Sequence, residues 1–254
     1  MKSCRAGVMD FRELAERHSL RLRQQSRDRQ RFAGKKVCHS GTAGSDMRAA
    51  LPYFAKILDE RTHEFRDHSL RVQTYAVHLA RQLNFTQAKL EDLALGAFLH
   101  DIGKIGVSAS ILFKPGPLTL EEQREMMQHP EIGYKMLRGL KFAERAAEMI
   151  LYHHENYDGS GYPDGLSGTQ IPLAARIVAL SDSYDAMTSH RPYRDKRTPR
   201  QARQQIQEMS GSQFDPCLVE AFLKIPAEQW ERIGRTSSTR LEAQNTQFSY
   251  LFAS

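Results

Sequence analysis

The stretch Ala97-Phe98-Leu99-His100-Asp101-Ile102-Gly103-Lys104-Ile105-Gly106 constrains this chain more than any other, because an imidazole, a carboxylate and an ammonium close an apolar run. Leu90, Leu93, Ala94, Ala97 and Phe98 recur at helical spacing, which predicts a buried helix ended by Gly103 and Gly106. His100 and Asp101 then fall at its buried end. An unpartnered carboxylate there costs several kcal/mol or takes up a proton, so Asp101 needs a compensating group. Two compensators fit. One is a metal ion; the other is Lys104 paired with Asp101, with His100 a satisfied core histidine. His68 upstream and His129, His153, His154 and Asp182 downstream, each on a segment that also reads as helix, shift the balance toward the metal.

Composition narrows the class. A chain of 254 residues that is 40% hydrophobic has enough apolar material for a packed core, so it is not a disordered protein. No apolar run approaches the ~20 residues that span a bilayer, and acidic residues at positions 10, 13 and 16 interrupt any signal-peptide core. A soluble, cytoplasmic protein is expected. Cys4, Cys38 and Cys217 are widely separated and form no CxxC pair, which argues against a disulfide framework and against a thiolate zinc site. The net charge of +6 is uneven: residues 1–50 hold 12 Lys and Arg against 5 Asp and Glu, leaving 24 against 25 for the rest. The basicity therefore belongs to a leading arm. No aromatic platform accompanies it, so stable nucleic-acid binding is not expected.

Along the chain, residues 9–32 suit a charged helix and residues 32–46 a Gly/Ser/Thr-rich linker, so the expected organisation is a basic arm over 1–47, a globular domain over 48–232 and a polar tail over 233–254. Every periodic segment within the domain has helical spacing, which predicts an all-α fold. Leu70, Tyr75, Val77 and Leu79 suggest the inward face of a helix on which Glu64 and His68 stand at i and i+4. Thr86 begins the next helix. Thr119 and Glu122 form a T-x-x-E capping box for a helix running toward His129-Pro130. Another helix is expected from about Phe142 to His154, and Thr198-Pro199 and Asp215-Pro216 read as cap-plus-proline helix starts. Residues 157–172 read as a glycine-rich loop.

Glu64, His68, His100, Asp101, His129, His153, His154 and Asp182 make a donor set of imidazole and carboxylate without thiolate, which suits iron, manganese or another borderline divalent ion better than a closed structural zinc site. Eight donors exceed one ion's needs. Two or three ions bridged by carboxylate and hydroxide generate a nucleophile at neutral pH and clamp the oxygens of a phosphoryl displacement, with Lys104 neutralising transition-state charge.

Ordered motifs carry a resemblance as well. His100-Asp101, with His68, His129, His153-His154 and Asp182, resembles the HD superfamily of metal-dependent phosphohydrolases, and Gly161-Tyr162-Pro163 resembles the signature of its HD-GYP branch. The likeness extends through His68-Ser69-Leu70-Arg71-Val72, Lys114-Pro115-Gly116, Asp158-Gly159-Ser160 and Phe214-Asp215-Pro216, covering about residues 58–225. It implies an all-helical bundle with a metal centre between helices. It also implies a cyclic di-GMP phosphodiesterase that attacks the phosphodiester with a metal-bridging hydroxide, giving pGpG and in some members GMP. Carried over, the seven His and Asp residues are metal ligands with Asp101 bridging, and Glu64 resembles the extra carboxylate of trimetal members. Arg191 and Arg194 resemble the basic pair that grips substrate phosphate, with Asp185 and Lys104 beside them. The alternatives are a non-catalytic cyclic di-GMP sensor or interaction module, or an HD phosphohydrolase of another nucleotide. A diguanylate cyclase, a sensory protein or a second copy of the chain are the expected macromolecular partners. Val107-Ser108-Ala109-Ser110 departs from the family's usual Ile-Pro after the central run, beside the site but removing no ligand.

Overall fold

The computed structural model describes residues 63–189 and 197–234, with side chains from residue 67, and every named element among them is helical. The helices are α1 (His63–Gln82), α2 (Gln87–Leu99), α3 (Ala109–Leu112), α4 (Leu120–Met126), α5 (His129–Leu137), α6 (Glu144–Tyr152), α7 (Leu173–Thr188), α8 (Pro199–Glu208) and α9 (Pro216–Lys224). Short 3-10 turns cover Ile102–Gly106, Lys141–Ala143 and Gly168–Gln170, and a last helical stretch runs over 227–234. The all-α expectation holds. The arm, the linker and the tail beyond 234 lie outside the described residues.

Helix α1 buries Val72, Tyr75, Ala76 and Leu79, an i, i+3, i+4, i+7 stripe, while Val77 sits half-buried on the flank. The helix ends where Asn84 turns left-handed at φ 55°, a conformation its short polar side chain tolerates. Helix α2 has no polar face over its second half: Leu93 through Leu99 are all buried, because α1, α6 and α7 surround it. Gln73 fastens α1 to α2 by donating to the Ala94 carbonyl at 3.0 Å.

The caps expected from local sequence form. Thr119 and Glu122 close a reciprocal capping box on α4, Thr198 accepts from the Gln201 amide at the start of α8, and Asp215 accepts from the Cys217 amide at the start of α9. Two expected boundaries move. Helix α2 stops at Leu99, before either glycine, and the chain tightens into the 3-10 turn that contains them. Gly103 lies there because a Cβ would stand 1.9 Å from the His129 carbonyl oxygen, so the turn and the start of α5 touch backbone to backbone. His129 begins α5 instead of ending α4, with Pro130 in its first turn.

Two apolar clusters result. The larger joins α1, α7, α8 and α9 around Tyr184, Phe222 and Trp230, whose indole stacks on Phe222 at 4.7 Å between ring centroids. The smaller gathers Leu95, Phe98, Leu99, Ile102, Leu137, Ala147 and Ile150 from α2, the 3-10 turn after it, α5 and α6. Between them, the ends of α2 and α6, the start of α5 and the flanks of α1 and α7 converge. No helix among the described residues is long and apolar enough to cross a membrane.

Candidate metal centre

The last carbonyls of an α-helix have no partner within the helix and must find a donor elsewhere. At three helix ends that donor is a histidine. His100 Nδ1 donates to the Ala97 carbonyl at 2.8 Å, His129 Nδ1 to Met126 at 2.8 Å and His153 Nδ1 to Ile150 at 2.7 Å. A carbonyl only accepts, so each Nδ1 carries the proton and each Nε2 offers a lone pair. All three side chains are buried. Burial drives His153 well below the usual imidazole range, helped by neighbouring His154, His100 and His129, and burial takes His154 down to about 3. His153 and His154 are therefore neutral at neutral pH.

Their lone pairs meet. His129 Nε2 and His153 Nε2 stand 3.4 Å apart, and the buried His100 Nε2 has no hydrogen-bond partner. Asp101 stands among them where α2 gives way to the 3-10 turn (φ −97°, ψ 6°). Its Oδ1 lies 3.3 Å from His129 Nε2, and its Oδ2 lies 3.4 Å from His100 Nε2 and 3.8 Å from His68 Nε2. Two donor groups arise that share this carboxylate: Asp101 with His129, His153 and His154, and Asp101 with His68 and His100. Asp182 joins the second, its Oδ1 being 3.3 Å from His68 Nε2 and 3.9 Å from His100 Nε2.

Both carboxylates stay ionised. Burial opposes the charge on Asp101, but Lys104 and the surrounding histidines hold its carboxyl well below the usual range, and His68 does the same for Asp182. Burial pulls His68 down, yet hydrogen bonds to Asp182 and Asp185 lift it to about 9. A set of convergent lone pairs and carboxylates, one of them orphaned in the interior, matches what a divalent cation requires and what protein groups alone leave unsatisfied. The residues present fit a metal centre.

Seven of the residues singled out in the sequence, His68, His100, Asp101, His129, His153, His154 and Asp182, come together here. Glu64 lies one turn before His68 on α1, its side chain outside those described, and Arg191 and Arg194 lie outside the described residues. Lys104 Nζ bonds Asp101 Oδ2 at 2.6 Å, so the ion pair weighed against a metal forms within the same cluster. Asp185 is buried, and its oxygens take His68 Nδ1 at 2.7 Å, Arg71 Nε at 2.7 Å and the Ser189 hydroxyl at 3.1 Å. It orients the His68 ring from behind.

Two further contributors stand within motifs of the sequence that assign them no partner. Arg71, one turn beyond His68 on α1, grips Asp185 through Nε and Nη2; its i+3 spacing from His68 was the available signal. Tyr162 stacks on His154 with centroids 4.9 Å apart at 21°, and nothing local reveals that contact. The loop that carries Tyr162 folds back on the end of α6. Gly161 is required there, since a Cβ would lie 2.2 Å from the Asn156 nitrogen, and buried Glu155 accepts from the Asp164 and Leu166 amides at 2.8 and 3.1 Å. Burial pushes the Glu155 carboxyl up to about 7.

The family model for the HD domain matches residues 52–218. The chain is 38% identical over 248 residues to the cyclic di-GMP phosphodiesterase response regulator RpfG of Xanthomonas campestris pv. campestris, covering 92% of this chain and 66% of that protein. It is 41% identical over 180 residues to a cyclic di-GMP phosphodiesterase of Thermotoga maritima, covering 70% of this chain and 48% of that protein. The chain thus spans about half to two thirds of these relatives' lengths. Among solved structures, Bd1817 of Bdellovibrio bacteriovorus, described as an HDG"Y"P protein, superposes with a TM-score of 0.55 at 16% identity over 87% of this chain and 75% of that one, a likeness of fold.

Proposed function

Because this chain belongs to the HD domain family, we propose that it is a metal-dependent phosphodiesterase that hydrolyses cyclic di-GMP to pGpG, with GMP the further product that some members of the HD-GYP branch give. The observation that carries the reading is the carboxylate common to two donor groups, Asp101, which supports a reading with two adjacent divalent ions. Iron or manganese suits a set of imidazoles and carboxylates without thiolate. His129, His153 and His154 would hold one ion, His68, His100 and Asp182 the other, with Asp101 between them and Glu64 available to a third. When bound, such ions supply Lewis-acid activation of water and neutralise phosphoryl charge.

The chain's own groups do the rest. The Nδ1–H bonds to helix-end carbonyls hold the imidazoles in one tautomer, so no reorientation accompanies the reaction. Asp185 and Arg71 hold His68 likewise. Lys104, partly exposed beside Asp101, places an ammonium where a phosphate oxygen can approach. Arg191 and Arg194 supply planar guanidinium forks for the phosphodiester oxygens, which they meet bidentately. The domain occupies residues 48–232 between a basic arm and a polar tail, and acts in the cytoplasm. Its macromolecular partners are a diguanylate cyclase, a sensory protein or a second copy of the chain.

The test is anaerobic turnover of cyclic di-GMP by protein whose iron and manganese are quantified, with Asp101→Ala alongside. Linear product from the unaltered chain alone is expected. Intact dinucleotide at two or more metals per chain would overturn the reading, and tight binding without turnover would make the protein a sensor. Turnover of a different cyclic dinucleotide in its place would reassign the substrate.

A further inference from the structure

Four histidines meet around Asp101 and Asp182 from the ends of helices, and three of them share one orienting device, an Nδ1–H bond to the carbonyl three residues earlier. His154 has none. It lies one residue past the cap of α6, out of reach of that carbonyl pattern, and its ring nitrogens form no hydrogen bond among the described residues. An imidazole without such a bond has its orientation set by packing alone, and a poorly oriented ring makes a poor ligand. What faces His154 instead is a set of rings: Tyr162 lies nearly parallel to it at 4.9 Å, His129 stands edge-on at 5.0 Å and 87°, and His153, itself held by the Ile150 carbonyl, is tilted at 4.1 Å.

The Tyr162 ring is itself held firmly. Its amide donates to the His154 carbonyl at 3.2 Å, which ties the two residues backbone to backbone. Gly161 lets the chain pass within contact of residues 154–156. Beyond it, Glu155 accepts from the amides of Asp164 and Leu166, and the Tyr152 hydroxyl donates to Asp164 at 3.2 Å, so the loop is fastened on both sides of the stack. The tyrosine hydroxyl, close enough to Asp101 and Asp182 to feel their charge, takes part in none of these contacts, so it is the ring face that meets His154.

We propose that Tyr162 is the positioning residue for His154, its ring face doing for this imidazole what a helix-end carbonyl does for His100, His129 and His153. The proposal rests on reading the cluster as a metal centre and is independent of the substrate's identity. It assigns the tyrosine a role in one donor group only, the one formed by Asp101, His129, His153 and His154.

The experiment is titration with Co2+, followed by visible absorption in competition with a chelator. Unaltered protein and Tyr162→Phe are expected to bind with the same affinities and spectra. Tyr162→Leu is expected to weaken one ion by about 10–100-fold, the usual effect of removing a group that orients a ligand, while the other ion is unaffected. In a His154→Ala background the leucine substitution is expected to add nothing. An unchanged titration for Tyr162→Leu, equal weakening of both ions, or additive losses with His154→Ala would each overturn the proposal. A measurement on the unaltered metal-free chain stands beside these: the His154 ring protons should be shifted upfield by the tyrosine face, and ordinary shifts would overturn the stacking itself. Failure of the unaltered chain to bind Co2+ would defeat the metal-centre reading, an outcome distinct from all of these.

Discussion

Replacing Arg71 by Gln leaves Asp185 buried with His68 and Ser189 as its remaining partners, and the ring it orients loses its support. Metal affinity should fall about 10–100-fold with helical content unchanged, read by chelator competition and circular dichroism. An affinity equal to the unaltered chain's would show that Asp185 holds His68 without help. At this scale the donor types were legible: imidazole and carboxylate at helix ends in an apolar context have few other uses. The Nδ1–H bonds were legible in principle too, because each partner is three residues away. Arg71 to Asp185 was not, since 114 positions separate them.

Where elements meet, backbone proximity decides what a side chain can be. Gly103 holds the 3-10 turn against the start of α5, and Gly103→Ala forces a methyl into the His129 carbonyl. A loss of about 1–3 kcal/mol is expected, together with weakened metal binding, because the clash displaces the backbone that carries His129. Thermal unfolding and a metal titration on one preparation check both. A second joint lies between α1 and the stretch over 227–234. There His78 Nε2 accepts from the Gln229 amide at 3.0 Å and stands edge-on to Trp230. Burial, then Arg81 and Arg232, lowers its pKa below the ordinary imidazole value. The unfolded chain then binds the proton more readily, so His78 contributes stability above pH ~6.5 that is lost as pH falls below it. His78→Gln should flatten the fall in Tm between about pH 7 and the folded-state pKa, and an unchanged slope would remove His78 from the account. Caps such as Thr119 with Glu122 were readable because donor and acceptor sit within one turn; the Gly103 contact was not, being made with α5.

At the scale of the molecule, among the described residues, a cluster of like-charged carboxylates and facing lone pairs lies between two apolar clusters. Ions bound there engage the folded chain and not the unfolded one, so they add stability by mass action, about 2.7 kcal/mol for a ligand at a hundred times its Kd. Stripping metal with a chelator should lower Tm by several degrees, and returning Mn2+ should restore it. A Tm indifferent to both would mean that no ion engages this cluster.

What the sequence determined by itself is what short-range physics controls: helical periodicity, the caps at Thr119, Thr198 and Asp215, and the placing of histidines where helix ends need donors. Those features depend on neighbours within about one turn. Only the tertiary structure decided that Asp101 is common to two donor groups, that Asp185 reaches His68 from 117 positions away, and that Tyr162 covers His154. These follow from how α1, α2, α5, α6 and α7 pack their apolar faces, and that packing sets the distances between segments that no local spacing encodes.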